Sequence, residues 1–119
     1  MDAGYGLAVR WSLTGAPLGV GQELRDYVIS TSLARFMFLD GLAFKTWRMR
    51  EGEWFEGTYV FDSPRERDSF RAEFEATAAG SPVSRLIGSG PITIEDYEVV
   101  AIAEGPAKFR RGAGPGSAR

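Results

Sequence analysis

Two adjacent short runs, residues 42–49 and 54–61, constrain the fold of this chain more than any other feature. Residues 41–61 read GLAFKTWRMREGEWFEGTYVF. Both runs alternate as strands do, and Glu51-Gly52 between them turns the chain back into a hairpin. A strand on a sheet with one wet face is apolar on one side only. Here both sides carry bulk. In the first run Leu42, Phe44 and Thr46 oppose Ala43, Lys45, Trp47 and Met49. In the second, Phe55, Tyr59 and Phe61 oppose Trp54, Thr58 and Val60. Leaving either set in water exposes an apolar patch on the order of several hundred Å², which a monomer rarely tolerates. The hairpin therefore belongs to a sheet covered on both faces. Helices of the same chain cover one face, and the sheet of a second copy is the simplest cover for the other. A homodimer joined through the helix-free sheet face is expected.

The rest of the chain supplies the missing elements. Residues 5–13 (YGLAVRWSL) alternate, with Tyr5, Leu7, Val9, Trp11 and Leu13 on one face, and form the first strand. From Gln22 to about Phe36 the period changes to that of a helix, with Leu24, Val28, Ile29, Leu33 and Phe36 on one arc and Ser32 inside it. Ser63-Pro64 with Glu66 starts a second helix that runs to near Gly80, where Phe70, Phe74 and Ala78 repeat at i, i+4, i+8. Residues 81–91 (SPVSRLIGSGP) read as a turn-rich connection, and residues 92–103 as the last strand. The order β-α-β-β-α-β is the ferredoxin-like α+β arrangement, a four-stranded antiparallel sheet with both helices on one face. A single domain spans 1–105, and the Gly/Arg-rich tail 106–119 is expected to be flexible.

Composition removes several kinds of chemistry. Among 119 residues there is no Cys, no His and no Asn. Disulfides, thiolate nucleophiles, Ser-His triads and imidazole metal ligands are excluded, so no metal is expected. No secretory leader or membrane span is read, which makes the cytoplasm the expected location. Lys108, Arg110, Arg111 and Arg119 lie in residues 105–119, which leaves 10 basic against 16 acidic residues, or −6, over 1–104. An acidic body repels a phosphate backbone, so no nucleic acid is expected.

The runs GLAFKTW and GEWFEGTYVFDS, followed by a helix and then PITIEDYEVVAIAEGP, resemble the YdhR-like monooxygenases of the dimeric α/β-barrel superfamily, beside the antibiotic-biosynthesis monooxygenases. The resemblance covers roughly residues 5–105 and is most specific at Gly41-Leu42, Lys45, Trp47 and Gly57-x-Tyr59-x-Phe61. Glu56 stands where members often show a second Gly, and Phe44 and Thr46 where they show a bulkier pair. The resemblance implies a dimer and cofactor-independent oxygenation of an aromatic or polyketide-type compound. The haem-degrading branch uses an Asn and a His that this chain lacks.

A cofactor-free oxygenase needs a dry apolar cavity and a few polar groups that orient a phenol or enol and stabilise its anion. Lys45 and Trp47 share a strand face, and Tyr59 lies on the neighbouring strand. These three are the candidate catalytic residues, with Lys45 as enolate stabiliser or base. The plain alternative is a snorkelling Lys beside a core Trp, with the Tyr59 hydroxyl on a backbone partner. Trp11, Ser32, Phe36, Phe70 and Phe74 are candidate ligand-binding residues, and core packing is the alternative for each. Two further functions stay open on the same fold: a non-oxidative isomerase or cyclase, and a binding or assembly module without chemistry.

Overall fold

The alternation at the N-terminus produces strand β1 (Gly4–Ser12), whose Leu7, Val9 and Trp11 are almost wholly buried. The computed structural model describes residues 3–110. β1 is followed by helix α1 (Val20–Tyr27), a π-helical turn (Val28–Ser32) and helix α2 (Leu33–Met37), which together form one continuous helix. The hairpin of β2 (Leu42–Arg50) and β3 (Trp54–Phe61) comes next. Helix α3 (Pro64–Thr77), a 3-10 turn (Ala78–Gly80), a short helix α4 (Pro82–Ile87) and β4 (Thr93–Val99) complete the described chain. The strands form one antiparallel sheet in the order β2-β3-β1-β4, the ferredoxin-like α+β topology expected from the sequence.

Ser63 caps α3 by accepting a hydrogen bond from the Glu66 backbone N–H at 3.2 Å, with Pro64 in the first turn. The same device recurs at Ser81-Pro82. The Ser81 hydroxyl accepts from the Ser84 N–H, and Gly88 ends the helix at φ 91°. The segment read as a turn-rich connection therefore holds helix α4, and its Ile87 joins the core. The last strand is shorter than expected: pairing stops at Val99, and residues 100–103 are unpaired. Of the tail, Phe109 lies against β2, its ring centroid 6.0 Å from that of Phe44. Residues 111–119 of the expected flexible tail lie outside the described residues.

Two irregularities change which side chains face the helices. The register of β2 on β3 shifts between Leu42 and Phe44, so Ala43 is an extra, bulged residue. Leu42 pairs with Phe61 and packs against the helix-side core, as Trp47 and Met49 do. Phe44, Thr46 and Arg48 face the opposite side. Leu42 therefore does not share a face with Phe44, as strict alternation required. The second irregularity is the π-helical turn. Its extra residue carries Leu24, Val28, Ser32 and Phe36 onto the buried face and swings Ile29 out to 45% exposure. Ile29 was expected on the apolar arc.

The helix-free side is more polar than the residue alternation suggested. Glu56 is buried there at 6% exposure, paired with Arg10 at 3.2 Å and with Arg48. The Arg10 guanidinium lies 4.0 Å from the Trp54 ring centre, and the Tyr97 ring covers Gly6. The apolar groups on this side include Phe44, Trp54, Val60, Tyr97 and Val99.

Candidate functional site

On the helix side, an aromatic cluster runs from Trp11 through Phe74, Phe70 and Phe36 to Tyr59 and Trp47. Its gaps merge into a cavity of about 50 Å³ between sheet and helices. All eight candidate residues, Lys45, Trp47, Tyr59, Trp11, Ser32, Phe36, Phe70 and Phe74, line that one cavity. Sequence reasoning missed seven further contributors: Tyr27, Arg35, Phe55 and Gly57, with Ser81, Pro82 and Val83 from the start of α4. Gly57 carried a signal, since it lies across from Trp47 and between Phe55 and Tyr59 on the helix-facing side of β3. A Cβ there would stand 3.3 Å from Lys45 Cε and 3.4 Å from the Tyr59 ring. The missing side chain makes room for the lysine stem. Tyr27 carried no such signal, and neither did Arg35, which follows the π-helical turn.

Lys45 reaches the cavity from the edge strand β2. Its stem is half-buried and its ammonium nitrogen sits among rings: 3.5 Å from the Phe36 ring centre, 4.2 Å from that of Tyr59 and 4.4 Å from that of Trp47. Lys45 Nζ donates a hydrogen bond to Tyr59 Oη at 3.0 Å. Among the described residues no carboxylate forms an ion pair with it. Burial holds the Lys45 pKa well below the ordinary lysine value, and the positive charge of Arg35 adds to the shift. Burial also raises the Tyr59 pKa above its ordinary value, so this phenol keeps its proton. Attraction of the charged form to three rings opposes the lysine shift, at about 0.5–2 kcal/mol per ring. Desolvation, at several kcal/mol for a buried ion, acts against the charged form, in the same direction as the repulsion from Arg35.

Ser32, 4% exposed, is aimed at the cavity by the π-helical turn. At the far end Trp11 Nε1 donates to Ser84 Oγ at 3.0 Å, and Ser84 Oγ donates to the Ala78 carbonyl at 2.6 Å. These bonds fix the Trp11 ring as a rigid wall. The space of about 50 Å³ takes a few water molecules and is far below the 300 Å³ or so typical of a drug-sized ligand. A larger groove of about 420 Å³ opens beside it along β2 and α2, lined in part by Leu33, Met37, Leu42 and Phe44. Phe36, Lys45 and Trp47 border both spaces. A ligand in the groove thus meets the lysine and two rings at its inner end.

Among the described residues no group of three or more acidic side chains is clustered to hold a metal ion, and no helix is long and apolar enough to cross a membrane. No protein-family profile matches the chain, and no curated protein sequence does. Among solved structures the chain is similar to a protein of unknown function from Nitrosomonas europaea, at 23% identity and TM-score 0.58, over 86% of this chain and 94% of that one. A weaker likeness is to a candidate antibiotic biosynthesis monooxygenase from Chloroflexus aurantiacus, at 15% identity and TM-score 0.37, over 85% of this chain and 95% of that one. The first of these likenesses supports the ferredoxin-like fold.

Proposed function

We propose that the chain binds a small aromatic or polyketide-type compound in the groove beside Lys45 and promotes its oxygenation without a cofactor, as the resemblance to YdhR-like monooxygenases implies. The observation that carries this reading is the Lys45–Tyr59 pair, set among three rings with no carboxylate partner among the described residues. A phenol or enol whose oxygen reaches that pair finds an amine with a lowered pKa to take its proton. The Tyr59 hydroxyl then stabilises the anion. The electron-rich anion reacts with dioxygen directly, and the surrounding rings keep water away.

The apolar groups on the helix-free side, with exposed Val100 and Ile102 after β4, support a homodimer through that face. Sedimentation tests the dimer, and a single-chain species at micromolar concentration refutes it. The activity is tested by dioxygen uptake with a panel of anthrones and hydroquinones. Uptake by the wild type that is lost in Lys45→Met supports the reading. Ligand turnover that proceeds equally without dioxygen refutes oxygenation and favours an isomerase or cyclase using the same base.

A further inference from the structure

Of the 14 basic residues in this chain, 12 are Arg and two are Lys, Lys45 and Lys108. Arginine serves wherever a surface charge meets an acid, as at Arg10, Arg48, Arg67 and Arg71. The amine is kept where a guanidinium would be useless as a nucleophile. Lys45 Nζ is 3.0 Å from a phenol oxygen and among three rings, and it borders a groove of about 420 Å³ with an apolar floor.

We propose that Lys45 is a nucleophilic amine that forms an imine with an aldehyde or ketone whose apolar body lies in the groove along β2 and α2. The inference deepens the proposed function, since it uses the same site and names the carbonyl form of the ligand as its covalent partner.

The chemistry balances without any further reactant. The Nζ lone pair adds to the carbonyl carbon, and the carbonyl π pair moves to oxygen. That oxygen takes the Tyr59 phenol proton, and the nitrogen returns a proton to Tyr59. The carbinolamine then loses its hydroxyl with the remaining N–H proton as water, leaving the C=N bond. Tyr59 is suited to this transfer because its oxygen already accepts from Nζ, which leaves its own O–H free to point at a ligand oxygen. Two conditions make a lysine nucleophilic: removal from water, and a neighbouring cationic group. Burial among the rings supplies the first and Arg35 the second. The charged and titratable groups that face Nζ are Arg35 and Tyr27 from the first helix and Tyr59 from β3. α3 presents the Phe70 and Phe74 rings to the same cavity.

The chain carries its own control. Lys108, exposed and not itself part of the groove lining although Phe109 and Arg110 beside it are, is the only other lysine. The full-length protein is incubated at pH 7 with benzaldehyde and cyanoborohydride in the absence of dioxygen, and benzylation at each amine is followed by peptide mass spectrometry. Each unit by which the Lys45 pKa is lowered raises its free-amine fraction about tenfold over an ordinary lysine. Labelling of Lys45 at least tenfold faster than Lys108 supports the proposal. Labelling of Lys108 and the α-amine with Lys45 left untouched overturns it. Neither outcome requires a variant that folds. Tyr59→Phe keeps the ring, and slower labelling at Lys45 with Lys108 unchanged supports the proton-transfer role of the hydroxyl. Equal labelling overturns that role. Absence of imine trapping with dioxygen uptake intact overturns the imine alone. Trapping without dioxygen uptake on the anthrone panel overturns the oxygenase reading alone.

Discussion

Replacing Lys45 by Met should make the protein more stable at pH 6, and the gain should shrink as the pH rises to 9. The methionine chain follows the same path past Gly57 and keeps the contacts with Phe36 and Trp47. What the substitution removes is an amine that must be stripped of water, at a cost of several kcal/mol when charged. It also removes the attraction to three rings, about 0.5–2 kcal/mol each, and one hydrogen bond to Tyr59, worth about 1 kcal/mol. For a half-buried lysine the ring attraction sits near its low end, about 0.5 kcal/mol each, so the losses come to about 2.5 kcal/mol against a desolvation cost of about 4 kcal/mol. The net gain is about 1–2 kcal/mol at pH 6, or about 3–8 °C in melting temperature for a domain of this size. The sign of the pH dependence follows from the lowered pKa. Between the folded and the unfolded pKa of Lys45 the unfolded chain binds more protons than the folded one, so wild-type stability rises with pH across that window. It is lost as the pH falls through the folded pKa. Methionine does not titrate, so the gap between the two proteins narrows upward. The range stops at pH 9 because Tyr59, with its raised pKa, keeps its proton in the fold and acts in the opposite direction above the ordinary tyrosine range. Paired urea titrations at several pH values measure the gap. A methionine variant less stable than wild type at pH 6, or a gap that does not change with pH, refutes the account of a desolvated amine.

Three further substitutions test the frame around the site. Gly41 adopts φ 84°, and a Cβ there would collide with the Glu66 carboxylate, so Gly41→Ala should cost about 2 kcal/mol in urea unfolding. Ser84→Ala removes the acceptor of the buried Trp11 indole N–H and should cost about 1–3 kcal/mol, seen also as a shift in tryptophan fluorescence. Glu56→Gln removes the carboxylate shared by Arg10 and Arg48. Because both arginines reach solvent, the loss should be about 1–2 kcal/mol in urea unfolding.

The topology was legible because each long element carried a single period and its own punctuation. β1 alternates without a fault, and Ser63-Pro64-Glu66 opens α3 where the capping pattern places it. What escaped the sequence were insertions of one residue. A bulge at Ala43 and a π-helical turn at Val28–Ser32 each break a period, and neither Ala43 nor residues 28–32 (VISTS) has a side chain that demands the break. The cost was two wrong faces, Leu42 and Ile29. Helix α4 was a different kind of miss: Ser81-Pro82 repeats the start signal of α3, but three glycines and two prolines within 80–91 masked its six residues as loop. The candidate site was legible as a set, since positions two apart on neighbouring strands must share a face. Its size was not, because a void depends on how α2 and α4 close on the sheet.

The strongest structural alternative for Lys45 is protection of an edge. β2 is the outermost strand on its side of the sheet, and an inward-pointing charge on an edge strand deters pairing with another chain. That duty needs a charged head in water. The Lys45 nitrogen sits instead among three rings, bonded to a phenol, with burial and Arg35 both acting against its charge. β2 already carries Arg48 and Arg50, both exposed and both paired with acids, which supply the charge an edge requires. Elsewhere in the described chain the interior is locally consistent: buried Glu56 meets two guanidiniums, and the Trp11 indole meets a serine hydroxyl. A chain that resolves those demands there, yet among the described residues leaves the Lys45 amine without a counter-ion, departs from its own rule at that point, and such departures concentrate at functional sites. Lys45→Arg separates the two accounts. Arginine preserves an edge charge and leaves a protective role intact, whereas it can neither form an imine nor take a proton, so ligand chemistry should disappear while solubility is unchanged.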